Sequence, residues 1–348
     1  MKKILFIKAQ WLGDMISWIP KLAELKEKWY EVYQTFYDMN FIHLWLRNYD
    51  KEFKERYRKL PMYKWWEEIL WIFKENWLIT WIIKIPFSIF WLLKFLIKNF
   101  KRFDEVIIPI KTKPWIILWK LLGKKSYYIF EDTNDTSKYQ SASEGEIGHK
   151  SKALYSYKNL IKRKTEKYDI PKKYITIFPS IRERSMEIEE WEKVINFLEK
   201  KDIKVVILWW EREKWFTKEL EKAWIYPKIS DVLGKTNLWQ LIYILEHSIL
   251  NISGNGGVMW LANLVNQKNI NIHTVSAFLM EPPVDNINSH NIRPYRYPCC
   301  KPCEAAISTI DGEKIIPWCL FKNTTREGEC RKAITWENII KLIEKIGI

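Results

Sequence analysis

The segment SILNISGNGGVMWLANLV, Ser248 to Val265, joins a short apolar run to a cluster of glycines and then to apolar residues at helical spacing. It reads as a buried strand, a tight turn and a helix. Gly254, Gly256 and Gly257 let backbone approach a ligand closely, and the amides and dipole of a helix start favour an anion. The whole chain holds only 11 glycines, so three within four residues mark a place built for such an approach. A phosphate or nucleotide is the ligand class that fits.

The same alternation extends to both sides. Upstream, YITIF, EIEEWEKVINFLEKK, KVVIL, REKWFTKELEKA and NLWQLIYILEH read as strand, helix, strand, helix, helix; downstream, NINIHTV reads as a strand. The first half repeats the scheme. ILFI is a strand, LGDMI a turn, and SWIPKLAELKEKW a helix with Ile19, Leu22 and Leu25 on one face. Residues 60–100 have helical character, and FDEVIIPI, WIILWKLLG and KSYYIF follow as strand, helix and strand. The polar stretch 131–150 reads as a long loop and KALYSYKNLIKRK as a helix.

Alternation of this kind predicts an α/β protein of two facing Rossmann-like domains with parallel sheets. The expected boundaries are 1–155, 170–335 and a C-terminal helix at 336–348. Ligands of such sheets bind beyond the carboxyl ends of the strands. With 348 residues, 47% hydrophobic and 28% charged, the chain suits two ordinary cores and excludes a disordered protein.

The formal charge of +15 predicts attraction to phosphates, nucleic acid or anionic lipid, or else only a solvated basic surface. MKKILFIKAQ reads as a first buried strand, because Lys8 breaks its apolar run and no small-residue cleavage site follows; a cytoplasmic location is expected. The apolar stretch from Trp77 to Lys98 is interrupted by Lys84 and Lys94 and fails as a membrane span. Lys94, Lys98 and Lys101 read as one helical face opposite Phe90, Leu93 and Ile97, which suits contact with a membrane surface or plain domain packing. All five cysteines fall between Cys299 and Cys330, too crowded for an extracellular disulfide framework. Cys300, Cys303, Cys319 and Cys330 could supply a zinc site, or stand as reduced thiols.

Three further positions carry chemistry at strand ends. Asp14, after the first strand, is placed to act as a general base or as a helix N-cap. Ser180, Arg182 and Arg184, after YITIF, offer a hydroxyl and guanidinium groups suited to phosphate oxygens.

Taken together, IKAQWLGDMISWIPKLAELKEKW, IFPS with its following basic residue and EEW, LGKTNLWQLIYIL, SGNGGVMWLA and CCKPC resemble the ADP-heptose:lipopolysaccharide heptosyltransferase family, glycosyltransferase family nine. The match covers about the first 25 residues and most of 170–345; residues 30–150 add little beyond RFDEVIIPIK. The resemblance implies a GT-B fold, with the acceptor on the N-terminal domain and the nucleotide sugar on the C-terminal one. It implies Asp14 as the base, Ser180 and Arg184 as diphosphate ligands, and Glu213 near the nucleoside. The family's D-[ST]-G-x-x-H loop falls on Asn255, Gly256, Gly257 and Trp260, where asparagine, glycine and tryptophan replace aspartate, hydroxyl residue and histidine.

The implied activity is inverting transfer of a heptose-like sugar from a nucleoside-diphosphate donor to a cell-surface glycan or glycolipid. No cofactor, catalytic metal or nucleic-acid partner is expected. Peripheral contact with the inner membrane surface is expected as an option. Two alternatives stay open: a catalytically silent nucleotide-sugar binding protein of the same fold, and a basic membrane-surface binding protein.

The chain has 21 tryptophans against 11 glycines, although glycine is normally among the commonest residues. Family members carry glycine where Trp209 and Trp210 stand, and a small residue is comfortable at Trp11 and Trp224. Some bacterial lineages read the triplet UGA as glycine, and reading it as tryptophan would deplete one residue and inflate the other together. True tryptophans at a membrane interface are the other explanation.

Overall fold

The computed structural model describes residues 1–6, 15–16, 19–37, 62–85, 89–108, 120–128, 154–162, 165–179, 185–208, 229–232, 235–254, 256–273, 289–292 and 332–348. The chain divides into two compact units, Met1–Lys152 and Ala153–Ile348.

In the first unit, β1 (Lys3–Phe6) leads to α1 (Ile19–Glu27) and β2 (Glu31–Tyr37). Then come α2 (Met62–Glu75), β3 (Trp81–Ile85), α3 (Ile89–Lys98), β4 (Phe103–Ile108) and β5 (Gly123–Tyr128). The strands form one parallel sheet in the order β3-β2-β1-β4-β5. Its centre is dry: Ile4, Leu5 and Phe6 of β1 and Val106 of β4 are buried. Ile19, Leu22 and Leu25 of α1 are buried together, as their spacing predicts.

Residues 60–100 differ from the helical reading. β3 lies between α2 and α3, and β2 is a further strand that the sequence pattern does not mark. The five residues WIIKI are as apolar as the helices beside them, so composition hides the change of period. Thr80 fixes the pairing with β2: its amide donates to the Val32 carbonyl at 2.7 Å and its hydroxyl accepts from the Val32 amide at 3.1 Å. In α3 a second correction is needed. Ile97 is exposed with Lys94 and Lys98, while Leu96 is the buried residue. Three- and four-residue spacing puts Ile97 beside Lys94 and Lys101 rather than opposite them.

The second unit opens with a single 3-10 turn at Leu154–Tyr157 and the short α4 (Asn159–Lys162), not the long helix expected there. Tyr155, Ser156 and Tyr157 are indifferent helix formers, and one turn is all they sustain. β6 (Tyr174–Phe178), α5 (Ile188–Lys200), β7 (Lys204–Ile207), β8 (Ile229–Asp231), α6 (Leu238–His247) and β9 (Asn251–Gly254) follow. The unit ends with α7 (Gly257–Val265), β10 (Asn269–Ile272), β11 (Ser289–Ile292) and α8 (Trp336–Lys345). Its strands are parallel in the order β11-β10-β9-β6-β7-β8.

β8 and β11 were not anticipated. β8 has only three residues, and β11, SHNI, is polar. Around β11 the buried face is built from amides instead of methyl groups. Thr176, Asn251, Asn269 and Ser289 stand opposite one another across four strands. The Thr176 hydroxyl donates to Asn251 Oδ1, Asn251 Nδ2 to Asn269 Oδ1 at 3.2 Å, and Asn269 Nδ2 to Ser289 Oγ at 3.4 Å. Asn263 of α7 ties this rung to the next, accepting from Ser289 Oγ at 2.7 Å and donating to Asn271 Oδ1 at 2.9 Å. Every member gains a partner, which is the condition for burying such groups.

Candidate functional site

In a doubly wound sheet the crevice opens where successive strands leave a central strand in opposite directions. The second unit reverses between β6 and β9, since β7 and β8 lie on one side of β6 and β9, β10 and β11 on the other. At the carboxyl end of β9, Gly256 caps α7 and Gly257 begins it. The first amides of a helix have no carbonyl ahead of them in the helix, so they point outward from this turn together with the positive end of the dipole.

Gly256 has φ 161° and ψ −178°, an extended conformation open to any residue. What favours glycine is space. A Cβ placed there would lie 3.1 Å from Cε1 of Phe178, the last residue of β6, which is buried. The end of β6 and the start of α7 therefore meet ring against backbone at the switch point. Phe178 is a contributor that sequence reasoning missed, since nothing local signals a contact between residues so far apart in the chain.

Ser180 follows Phe178, the last residue of β6, by two residues in the sequence. Ser180 and Arg184 themselves lie outside the described residues, as do Arg182, Asn255 and Glu213. Trp260 sits in the first turn of α7, buried, with its amide donating to the Gly256 carbonyl at 3.4 Å. His273, just past β10, is buried, and its Nε2 lies 3.2 Å from Asn291 Oδ1.

The first unit has its own reversal between β1 and β4. Asp14 belongs to the segment that leaves the carboxyl end of β1 and lies outside the described residues; the helical Met15 and Ile16 that follow it are buried. The cysteines from Cys299 to Cys330 also lie outside, with Trp11, Trp209, Trp210 and Trp224. Among the described residues no group of histidine, cysteine, aspartate and glutamate could hold a metal ion. No helix among them is long and apolar enough to cross a membrane.

Two parallel α/β units, each with a central reversal, and a glycine-cradled helix start at one of them define a GT-B type fold. The chain belongs to glycosyltransferase family 9 (heptosyltransferase), whose family model matches residues 124–306, more than half its length. The solved structures agree on the fold. E. coli ADP-heptose LPS heptosyltransferase II superposes with a TM-score of 0.56 at 12% identity, over 99% of this chain and 98% of that one. The E. coli heptosyltransferase WaaC with ADP gives 0.55 at 13% identity, over 99% and 100%. The family 9 glycosyl transferase of Veillonella parvula gives 0.52 at 12%, over 99% and 97%. No curated protein matches the chain in sequence.

Proposed function

We propose that the protein transfers a heptose-like sugar, with inversion, from a nucleoside-diphosphate donor to a glycan or glycolipid acceptor of the cell surface, working at the inner face of the cytoplasmic membrane. The observation that carries this is the Gly256–Gly257 turn at the switch point of the second unit, in a chain of this family. Solved family members are described with ADP and with ADP-2-deoxy-2-fluoro heptose, which makes an adenine nucleotide the first donor to try.

In this scheme the acceptor hydroxyl oxygen attacks the anomeric carbon while the bond from that carbon to the diphosphate oxygen breaks. Asp14 takes the hydroxyl proton, and the bonding pair leaves with the diphosphate. Ser180, Arg184 and the amides of Gly256 and Gly257 meet the charge that develops there, the electrostatic contribution that usually dominates such reactions. Glu213 lies near the nucleoside, and Asn255 belongs to the donor-binding loop. No step calls on a metal.

The test is thermal unfolding with a panel of nucleoside diphosphates and nucleotide sugars. A ligand at a hundredfold over its Kd stabilises by about 2.7 kcal/mol. Asp14→Asn should abolish transfer and keep that stabilisation; losing both would make Asp14 a helix cap instead.

One observation favours a second reading. Asn255, Gly256 and Trp260 replace the aspartate, hydroxyl residue and histidine of the family's loop, as a silent nucleotide-sugar binder of the same fold would allow. That reading predicts the thermal shift without product from any acceptor.

A further inference from the structure

The lower edge of the first unit, where β4 and β5 begin, carries an exposed apolar group set among cations. The Lys101 amide donates to the Leu121 carbonyl at 2.9 Å, so the end of α3 and the approach to β5 form one surface. On it Ile97 is 78% exposed, Phe100 55% and Leu121 39%. Lys94, Lys98, Lys101, Arg102 and Lys120 are exposed around them. Residues 89–102 and 120–125 contain no acid. The neighbouring Asp104 is engaged behind the patch, accepting from Lys124 Nζ at 2.8 Å and from the Lys3 amide at 2.9 Å. Leu96, beside them in α3, is buried.

We propose that this surface docks on an anionic lipid bilayer, with Ile97, Phe100 and Leu121 entering the headgroup layer and the four lysines among them facing lipid phosphates, while the Arg102 guanidinium donates to Asn99 Oδ1 at 2.7 Å. Charge complementarity and the apolar tips select this occupant together. A nucleic acid would use the cations and leave the tips in water, and a protein partner would need an apolar centre ringed by acids to match both, whereas an anionic bilayer offers both everywhere. The proposal rests on the reading of a glycolipid acceptor for its purpose, but its test involves no turnover.

The test is sedimentation of the full chain with vesicles of phosphatidylcholine, and of phosphatidylcholine mixed with phosphatidylglycerol. Binding to the mixed vesicles only, weakening with salt, is expected. Lys98→Gln and Lys101→Gln should each lower partitioning about fivefold. The triple change Ile97→Ser, Phe100→Ser, Leu121→Ser should lower it further while leaving the nucleotide-induced thermal shift intact. Absence of binding to mixed vesicles by folded protein overturns the proposal. So does binding unchanged by the triple variant, or tighter binding to duplex DNA that ignores the apolar changes.

A separate observation concerns the tryptophans. Four helices of the described residues end with the same pair of hydrogen bonds. At α1, the Trp29 amide donates to Lys26 O at 2.9 Å and the Tyr30 amide to Leu25 O at 3.2 Å. At α2 the pairs are Trp77 to Lys74 O and Leu78 to Phe73 O; at α5, Asp202 to Glu199 O and Ile203 to Leu198 O; at α8, Gly347 to Glu344 O and Ile348 to Ile343 O. This is the Schellman cap, whose first residue beyond the helix adopts the left-handed conformation and is usually glycine. Here φ is 60° at Trp29, 62° at Trp77, 55° at Asp202 and 82° at Gly347. Aspartate and glycine suit that conformation; tryptophan does not. Nor is either indole compensated by burial, for Trp29 is 82% and Trp77 74% exposed. Trp191 is the contrast: fully buried, its indole N–H donates to Ser185 Oγ at 3.0 Å.

We infer that the natural chain carries glycine at positions 29 and 77, encoded by UGA, and tryptophan at 191. Peptide masses of the protein from its native host, with the codons of its gene, decide the matter. Glycine masses with UGA at 29 and 77 and UGG at 191 are expected. UGG at 29 or 77 overturns the inference.

Discussion

Gly256→Ala tests whether the switch point is built as described. The added methyl would stand 3.1 Å from Phe178 Cε1, against an optimum of about 3.5–4.0 Å for two carbons, so ring or turn must move by about half an ångström. Phe178 ends a central strand and is buried, so it has little room to yield. Overpacking of this kind costs about 1–3 kcal/mol. Replacing glycine by alanine returns about 0.4–1 kcal/mol through the unfolded chain, with no backbone strain to subtract because φ is extended. The net expectation is a loss of about 1 kcal/mol in urea unfolding of the second unit. The assay is a double-mutant cycle with Phe178→Leu, which removes the ring edge. Gly256→Ala should cost at least about 0.5 kcal/mol less in the Phe178→Leu background, the lower end of coupling for residues in contact. Additive effects would refute the contact between Phe178 and Gly256. Nucleotide-induced stabilisation should shrink in Gly256→Ala whether or not Phe178 is changed.

Other expectations follow from the same geometry. Gly123→Ala would place a Cβ 2.5 Å from Val106 Cγ2 and 2.8 Å from the Lys125 carbonyl, so it should destabilise the first unit by about 2 kcal/mol and leave the melting of the second unchanged. Unchanged hydrogen exchange in β4 and β5 would refute this. Asn263→Leu removes the nearer acceptor of Ser289 and the donor to Asn271 Oδ1, while Asn271 Nδ2 keeps Asn291, and should cost about 1–2 kcal/mol by leaving a buried amide oxygen unmatched; a loss below about 0.5 kcal/mol in urea unfolding would count against the amide seam. His290 is held below its ordinary pKa, first by burial and then by Lys345 of α8. The unfolded chain therefore takes up the proton first as pH falls below about 6.5, so this part of the stability is present above that pH and lost on acidification. His290→Gln should flatten the decline between neutral and mildly acid pH, and an unchanged slope would dismiss the assignment.

How much could be read from the sequence depended on what each element buries. α1 and α5 bury apolar side chains at helical spacing, and β6 is a short, nearly continuous apolar run buried throughout, so all three were legible. β2 buries Gln34 and Thr35, and β11 lies beside a row of amides, so polarity there imitates a loop. β3 failed for the opposite reason, its five apolar residues merging with apolar helices. At the candidate site the glycines were legible because the chain has so few, whereas Phe178 was not, because its contact with Gly256 exists only after β6 and β9 have paired.

That pairing is where the asparagines connect fold to site. A strand of four residues such as β9 or β10 has little aliphatic surface with which to choose its register, and a slip of one residue turns every side chain to the opposite face. With Thr176, Asn251, Asn269 and Ser289 on one rung, a slip would break three side-chain hydrogen bonds at once and strand buried amides in an apolar core. The next rung on the same face holds Phe178 opposite Ser253 and Asn271 opposite Asn291. The rung at Thr176 thus sets the height at which β9 ends against β6. That height decides that Gly256 meets the Phe178 ring and that the amides of α7 open onto the crevice. Hydrophobic burial alone would stabilise several registers of these strands nearly equally; the amide seam selects the one that brings Gly256 against Phe178.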